Sequence, residues 1–146
     1  MPPSASAPGG EAMIGIDTNV LVRYVVQDDA RQAAVASQFI ETTLSDDEPG
    51  WIASVVLCEF VWVLEGAYGY ARNLIVATLQ RLFEVDRFRV EAPALAWRAL
   101  DEYRGGGDFS DALIALANEH EGCGYTATFD RAAAKMKQMR LLGRSA

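Results

Sequence analysis

The sequence predicts an α/β fold built on a parallel sheet, and three observations lead to it. Short apolar runs alternate with longer segments of helical period. Those runs, Met13–Ile16, Trp51–Ala53, Phe88–Val90, Gly124–Thr128 and Met139–Leu142, are too apolar to leave one face in water, which is the mark of strands covered on both sides. Two of them close on an acid, Asp17 in "IGID" and Asp130 in "YTATFD". In such sheets ligands collect at the carboxyl ends of the strands.

The elements follow in order. After the first strand, Met13–Ile16, apolar spacing resumes at Val20, so a helix begins near Asn19. A second helix is predicted from about Ala30 to Leu44. Ser45-Asp46-Asp47-Glu48-Pro49-Gly50 is turn chemistry leading into a short strand at Trp51–Ala53. Ser54 is placed to cap a long apolar helix from Val55 to about Tyr68. A helix over Arg72–Phe83 precedes the strand Phe88–Val90. Pro93 suits the first turn of a helix reaching Tyr103, and Gly105-Gly106-Gly107 breaks the chain before a helix over Phe109–Glu121. Gly124–Thr128 reads as a strand, separated by a short helix from a last strand, Met139–Leu142. No repeat or linker interrupts residues 13–146, which are expected to form one domain. The Pro/Ser/Ala/Gly-rich residues 1–12, MPPSASAPGGEA, read as a disordered tail.

Composition excludes several classes. No apolar run approaches the roughly 20 residues of a membrane span. The tail lacks the basic and apolar regions of an export signal, so the expected compartment is the cytoplasm, where Cys58 and Cys123 stay reduced. With no CxxC spacing and a single histidine, His120, in a polar helix end, a zinc site is not expected. There is no GxxxxGK[ST] phosphate loop and no GxSxG, and Ser54 and Ser110 occupy cap-like positions. A haloacid-dehalogenase phosphatase would carry Asp where Asn19 stands. A receiver domain would need paired acids ahead of the first strand-end aspartate and a matching lysine. The net charge of -7 argues against a nucleic-acid partner, but it is unevenly spread. Residues 131–146 carry Arg131, Lys135, Lys137, Arg140 and Arg144 and no acid, a local +5, leaving -12 on residues 1–130.

Four acids stand out. Glu59 is the only charge in "SVVLCEFVWVL", where its neighbours are expected to screen it from water, a costly position for an unpartnered carboxylate. Asp111 lies just inside an Ala/Leu/Ile-rich helix, and Asp17 and Asp130 end strand-like runs. Each also has a plain structural reading. Asp17 could cap the next helix, and Asp108 could cap Phe109–Glu121 with Asp111 favoured by the helix dipole. Asp130 could pair with Arg131 or Lys135, and Glu59 with Arg23. If Asp17, Glu59, Asp111 and Asp130 converge, their repulsion calls for a counterion. All-oxygen donors without His or Cys favour Mg²⁺ or Mn²⁺ over zinc. Such an ion acidifies a water for attack on a phosphodiester.

"IDTNVLVRY", "CEFVWVL", "DFSDALIALANEHEGC" and "TATFD" together resemble the PIN-domain ribonucleases, especially the VapC-type toxins of bacterial toxin–antitoxin modules. The resemblance spans residues 13–142. It implies a three-layer fold with a small parallel sheet sandwiched between helices. It also implies metal binding by Asp17, Glu59 and Asp111, with Asp130 as a less uniform fourth ligand. Asp108 takes an outer or capping role, and Thr18, Asn19 and Thr128 orient ligands or phosphate. The implied activity is a Mg²⁺- or Mn²⁺-dependent endoribonuclease, with Arg23, Arg131 and the basic tail steering RNA. The implied partners are a second copy of the chain and a small antitoxin that lays an apolar helix on the toxin. A non-catalytic scaffold and a metal-dependent DNA nuclease are the alternatives. The apolar "VVLCEFVWVLEGAYGY" fits either a seam for a second chain or a helix buried on most sides.

Overall fold

The structure, a computed structural model, describes residues 12–143, so the expected tail, apart from Ala12, and Arg144 lie outside the described residues. Its contacts divide the chain into two compact units, one reaching Pro93 and one starting at Ala94.

The first unit runs β1 (Ile14–Gly15), α1 (Thr18–Val26), α2 (Ala30–Gln38), a π-helical turn (Phe39–Thr43), β2 (Gly50–Ile52), α3 (Ser54–Gly66), α4 (Arg72–Glu84) and β3 (Phe88–Val90). The strands are all parallel in the order β1-β2-β3, with Ile14 opposite Gly50 and Trp51 opposite Arg89. Parallel neighbours need long crossovers, which is why helices fill both connections. Asp17 and Ser54 therefore follow strand ends on the same edge of the sheet. Inward residues recur at helical spacing: Leu21 and Val22 on α1, Leu57, Phe60, Val61 and Leu64 on α3, and Ile75, Val76, Leu79 and Leu82 on α4.

The second unit contains most of α5 (Pro93–Arg104), then α6 (Phe109–His120), β4 (Thr126–Thr128), a 3₁₀ turn (Ala133–Lys135) and β5 (Met139–Leu141). β4 and β5 pair in parallel, so hydrogen bonding groups the strands into ladders of three and two. Pro93 opens α5, and the Gly105–Gly107 break follows, with Gly106 at φ 112°, a conformation that favours glycine. Tyr103 meets Phe109 edge to face at 6.2 Å, closing the α5–α6 turn. Ala115, Ala133 and Met139 bury together, which seats β5 and the 3₁₀ turn against α6.

Three local expectations change. The helix predicted over Ala30–Leu44 leaves α geometry at Gln38. There the Thr42 hydroxyl donates to the Gln38 carbonyl at 2.6 Å, and Leu44 N–H reaches back to Phe39 at 3.2 Å, a five-residue step. Ser54 does not cap α3: Ala53 holds the cap position, and the Glu91 carboxylate, arriving after β3, accepts the Ser54 N–H at 2.9 Å. β4 is also less covered than expected, with Ala127 exposed between half-buried Thr126 and Thr128.

Candidate functional site

In the first unit the site grows from the end of β1. Asp17 adopts an extended backbone and caps α1, its Oδ1 accepting the Thr18 N–H at 2.8 Å. The capping reading of Asp17 is therefore realised. It occupies one carboxylate oxygen of this exposed residue and leaves Oδ2 without a hydrogen bond to the described residues. Thr18 is buried, and its Oγ1–H donates at 2.5 Å to Oε1 of Glu59, 41 residues further along the chain, so one threonine ties Asp17 to a second acid.

Glu59 itself departs from expectation. It is exposed, because on α3 it falls on the outward face with Val55 and Trp62 while Leu57, Phe60, Val61 and Leu64 turn inward. A run of apolar neighbours in sequence does not enclose a side chain that points between turns. Glu59 is not paired with Arg23 either. The Arg23 guanidinium is held by Asp28 at 3.2 Å, the Tyr68 hydroxyl at 3.1 Å and Gln32 at 2.6 Å. The Tyr68 hydrogen bond raises its pKa most; desolvation opposes it, and the charge of Asp28 adds a smaller rise. Asn19 is exposed and lines a cleft of about 460 Å³ with Val20, Arg23, Val35 and Phe39.

In the second unit three acids gather at the start of α6. Asp108 caps the helix, its Oδ2 accepting the Asp111 N–H at 3.0 Å. Asp111 occupies the third helical position, half-buried, and its carboxylate accepts no hydrogen bond among the described residues. Desolvation, then the charges of Asp108 and Asp130, push its pKa up. Asp130 pairs with neither Arg131 nor Lys135. Its Oδ1 accepts the Ala132 and Ala133 N–H groups at 2.8 and 3.1 Å, and its own N–H donates to Thr128 Oγ1 at 3.0 Å. That turn holds the carboxylate in place beyond β4. Arg131 is exposed.

The donors are thus carboxylate oxygens with threonine hydroxyls beside them, in two sets. Asp17, Thr18 and Glu59 belong to the first unit; Asp108, Asp111 and Asp130 belong to the second. No ready-made group of three or more metal-ligating His, Cys, Asp and Glu side chains is present among the described residues. The donor chemistry nonetheless fits a hard dication: the Asp111 charge bears a penalty from desolvation and from its two acidic neighbours that a cation would offset.

Two residues escaped the sequence reading. Glu91 accepts the N–H of Ser54 at the start of α3, the helix end that the Ser54 side chain was expected to cap. Phe129, between Thr128 and Asp130, is 79% exposed. The alternation of TATF, which puts Phe129 on the same side as Ala127, was the available signal.

No helix among the described residues is long and apolar enough to cross a membrane. The model of the PIN domain family matches residues 14–138. Neither curated proteins nor solved structures give a significant match. With most of its length matched, and with a small parallel sheet flanked by helices, the chain belongs to the PIN domain family, whose members are generally metal-dependent nucleases.

Proposed function

We propose that this protein is a Mg²⁺- or Mn²⁺-dependent endoribonuclease acting as the toxin of a toxin–antitoxin module. The observation that carries the reading is the half-buried Asp111 carboxylate with Asp108 and Asp130 beside it, raised in pKa by desolvation first and by their charges second, a setting that suits a hard cation in a chain of the PIN family. Asp17, Glu59, Asp111 and Asp130 are the proposed ligands. When bound, the dication acidifies a water and neutralises charge on the leaving oxygen of a phosphodiester.

The chain's own residues do the positioning. Thr18 fixes the rotamer of Glu59 and, through its N–H, orients Asp17. The Ala132 and Ala133 N–H groups hold one oxygen of Asp130 and leave the other for a ligand. Asp108 holds the first turn of α6 and adds negative potential without giving up its cap. A homodimer and a small antitoxin are the partners of this reading. Trp62, 73% exposed beside exposed Val55 on α3, supports an apolar face for one of them.

The test is cleavage by the purified protein. Asp17→Asn should keep the fold and lose RNA cleavage, and excess EDTA should abolish wild-type activity. Expression of the wild type, without its antitoxin, should arrest bacterial growth. Equal cleavage in EDTA would refute the metal mechanism, and undiminished growth at high expression would refute the toxin role.

A further inference from the structure

A second surface of the molecule has a composition that the acids do not share. Beyond β4 a cleft of about 850 Å³ is lined by Phe129, Arg131, Lys135, Arg140 and Leu142, with no acid among its lining residues. Residues 131–143 carry four cations and no acid in a chain of net charge -7. Phe129 presents its ring to solvent, 79% exposed, which makes it the most exposed of the large apolar side chains among the described residues. Its place is defined by the chain that follows β5. Leu142 N–H donates to the Thr128 carbonyl at 2.8 Å, and a Cβ on Gly143 would stand 3.8 Å from the ring. Arg140 sits over the Tyr125 ring, its guanidinium carbon 3.8 Å from the ring centroid, a contact that leaves its N–H groups for an anion.

An exposed aromatic ring costs solvation and contributes no packing, so its use lies in what stacks on it. An aromatic platform flanked by cations and free of acids suits unpaired bases on a phosphate backbone. We infer that this cleft binds single-stranded RNA, with a base stacked on Phe129 and its flanking phosphates met by Arg131, Lys135 and Arg140. The inference rests on the nuclease reading for the choice of RNA, and it adds a reason why the cut strand is unpaired. Phe129 immediately precedes Asp130, so a base stacked there delivers its neighbouring phosphodiester beside one of the proposed metal ligands. A duplex offers no base face and is excluded.

The experiment measures binding apart from cleavage. A fluorescein-labelled, mixed-sequence single-stranded RNA is titrated with the full chain in EDTA, and anisotropy is read. Phe129→Ala should weaken binding roughly 5- to 100-fold, the span expected for one lost base stack, while Phe129→Trp keeps it. A duplex of the same sequence should bind weakly, with no dependence on residue 129. Both variants should melt like the wild type, since the ring is exposed. Equal affinity of Phe129→Ala and wild type would overturn the inference, as would no binding by the wild type. Loss in Phe129→Ala of binding to a partner protein alone, with RNA affinity intact, would reassign the cleft to protein docking. The two readings fail separately. Phe129-dependent binding with no cleavage in Mg²⁺ or Mn²⁺ sinks the nuclease reading alone, and Asp17-dependent cleavage with a silent Phe129→Ala sinks this one alone.

Discussion

The carboxylate of Asp111 sits three residues into α6, half-buried, with Asp108 and Asp130 for neighbours and no hydrogen bond from the described residues to share its charge. Its position in the first helical turn would ordinarily welcome an acid, but desolvation first and then the charges of Asp108 and Asp130 push its pKa up. The consequence for stability has a definite sign. A carboxyl with a raised pKa in the folded state contributes most favourably below the unfolded carboxylate pKa, and that contribution is lost as pH rises through the elevated folded value. Asp111→Asn should therefore melt higher than wild type at neutral pH without metal, and the difference should vanish in acid below the carboxylate range. Mn²⁺ should raise the melting temperature of the wild type and leave that of Asp111→Asn unchanged. Thermal melts at two pH values, with and without Mn²⁺, check all three.

Among the elements, β2 has the least room. It pairs with β1 on one side and β3 on the other, and Gly50 at its start faces Ile16 and Leu44, where a Cβ would come within 2.9 Å of each. Glycine is there because two side chains already fill the space. Gly50→Ala should destabilise the protein by about 1–3 kcal/mol, the usual cost of overpacking a core, and denaturant titration would read it as a lowered midpoint at unchanged slope. By contrast α3 is built asymmetrically. Its inward stripe is complete with Leu57, Phe60, Val61 and Leu64, while Val55, Glu59 and Trp62 line the opposite face. The helix thereby puts a carboxylate and an indole on the same solvent-facing stripe.

Across the molecule the charge divides with the units. Residues 1–93 hold thirteen acids against six cations, while residues 94–146 hold seven of each. The whole deficit of -7 therefore lies in the first unit, and the neutral second unit carries the cationic stretch beside Phe129. An acidic pI of 4.6 conceals a unit compatible with a polyanion. Neutralising two of its cations, Arg131→Ala with Lys135→Ala, should reduce the slope of log affinity for single-stranded RNA against log salt by about 1.4, at roughly 0.7 per phosphate contact. Affinity measured in EDTA at several salt concentrations tests this, and a slope equal to wild type would show that these cations touch no phosphate.

What the sequence determined by itself is what local pattern encodes. The strands at residues 14, 50, 88, 126 and 139, the helices between them, Pro93 at the start of α5, and the capping options of Asp17 and Asp108 all follow from spacing and turn chemistry within a few residues. The four acids were legible as candidates for the same reason, each standing at a strand end or inside an apolar run. Tertiary structure alone decided how those side chains are used. It turned Glu59 outward and bound it to Thr18, drew Arg23 to Tyr68, set the Glu91 carboxylate against the start of α3, and brought Asp130 up to Asp111. It also ended α2 in a π turn and left Phe129 bare. The physical reason is that periodicity fixes a residue's face on its own element, whereas its partner and its exposure depend on where helical crossovers deliver chain that is tens of residues away.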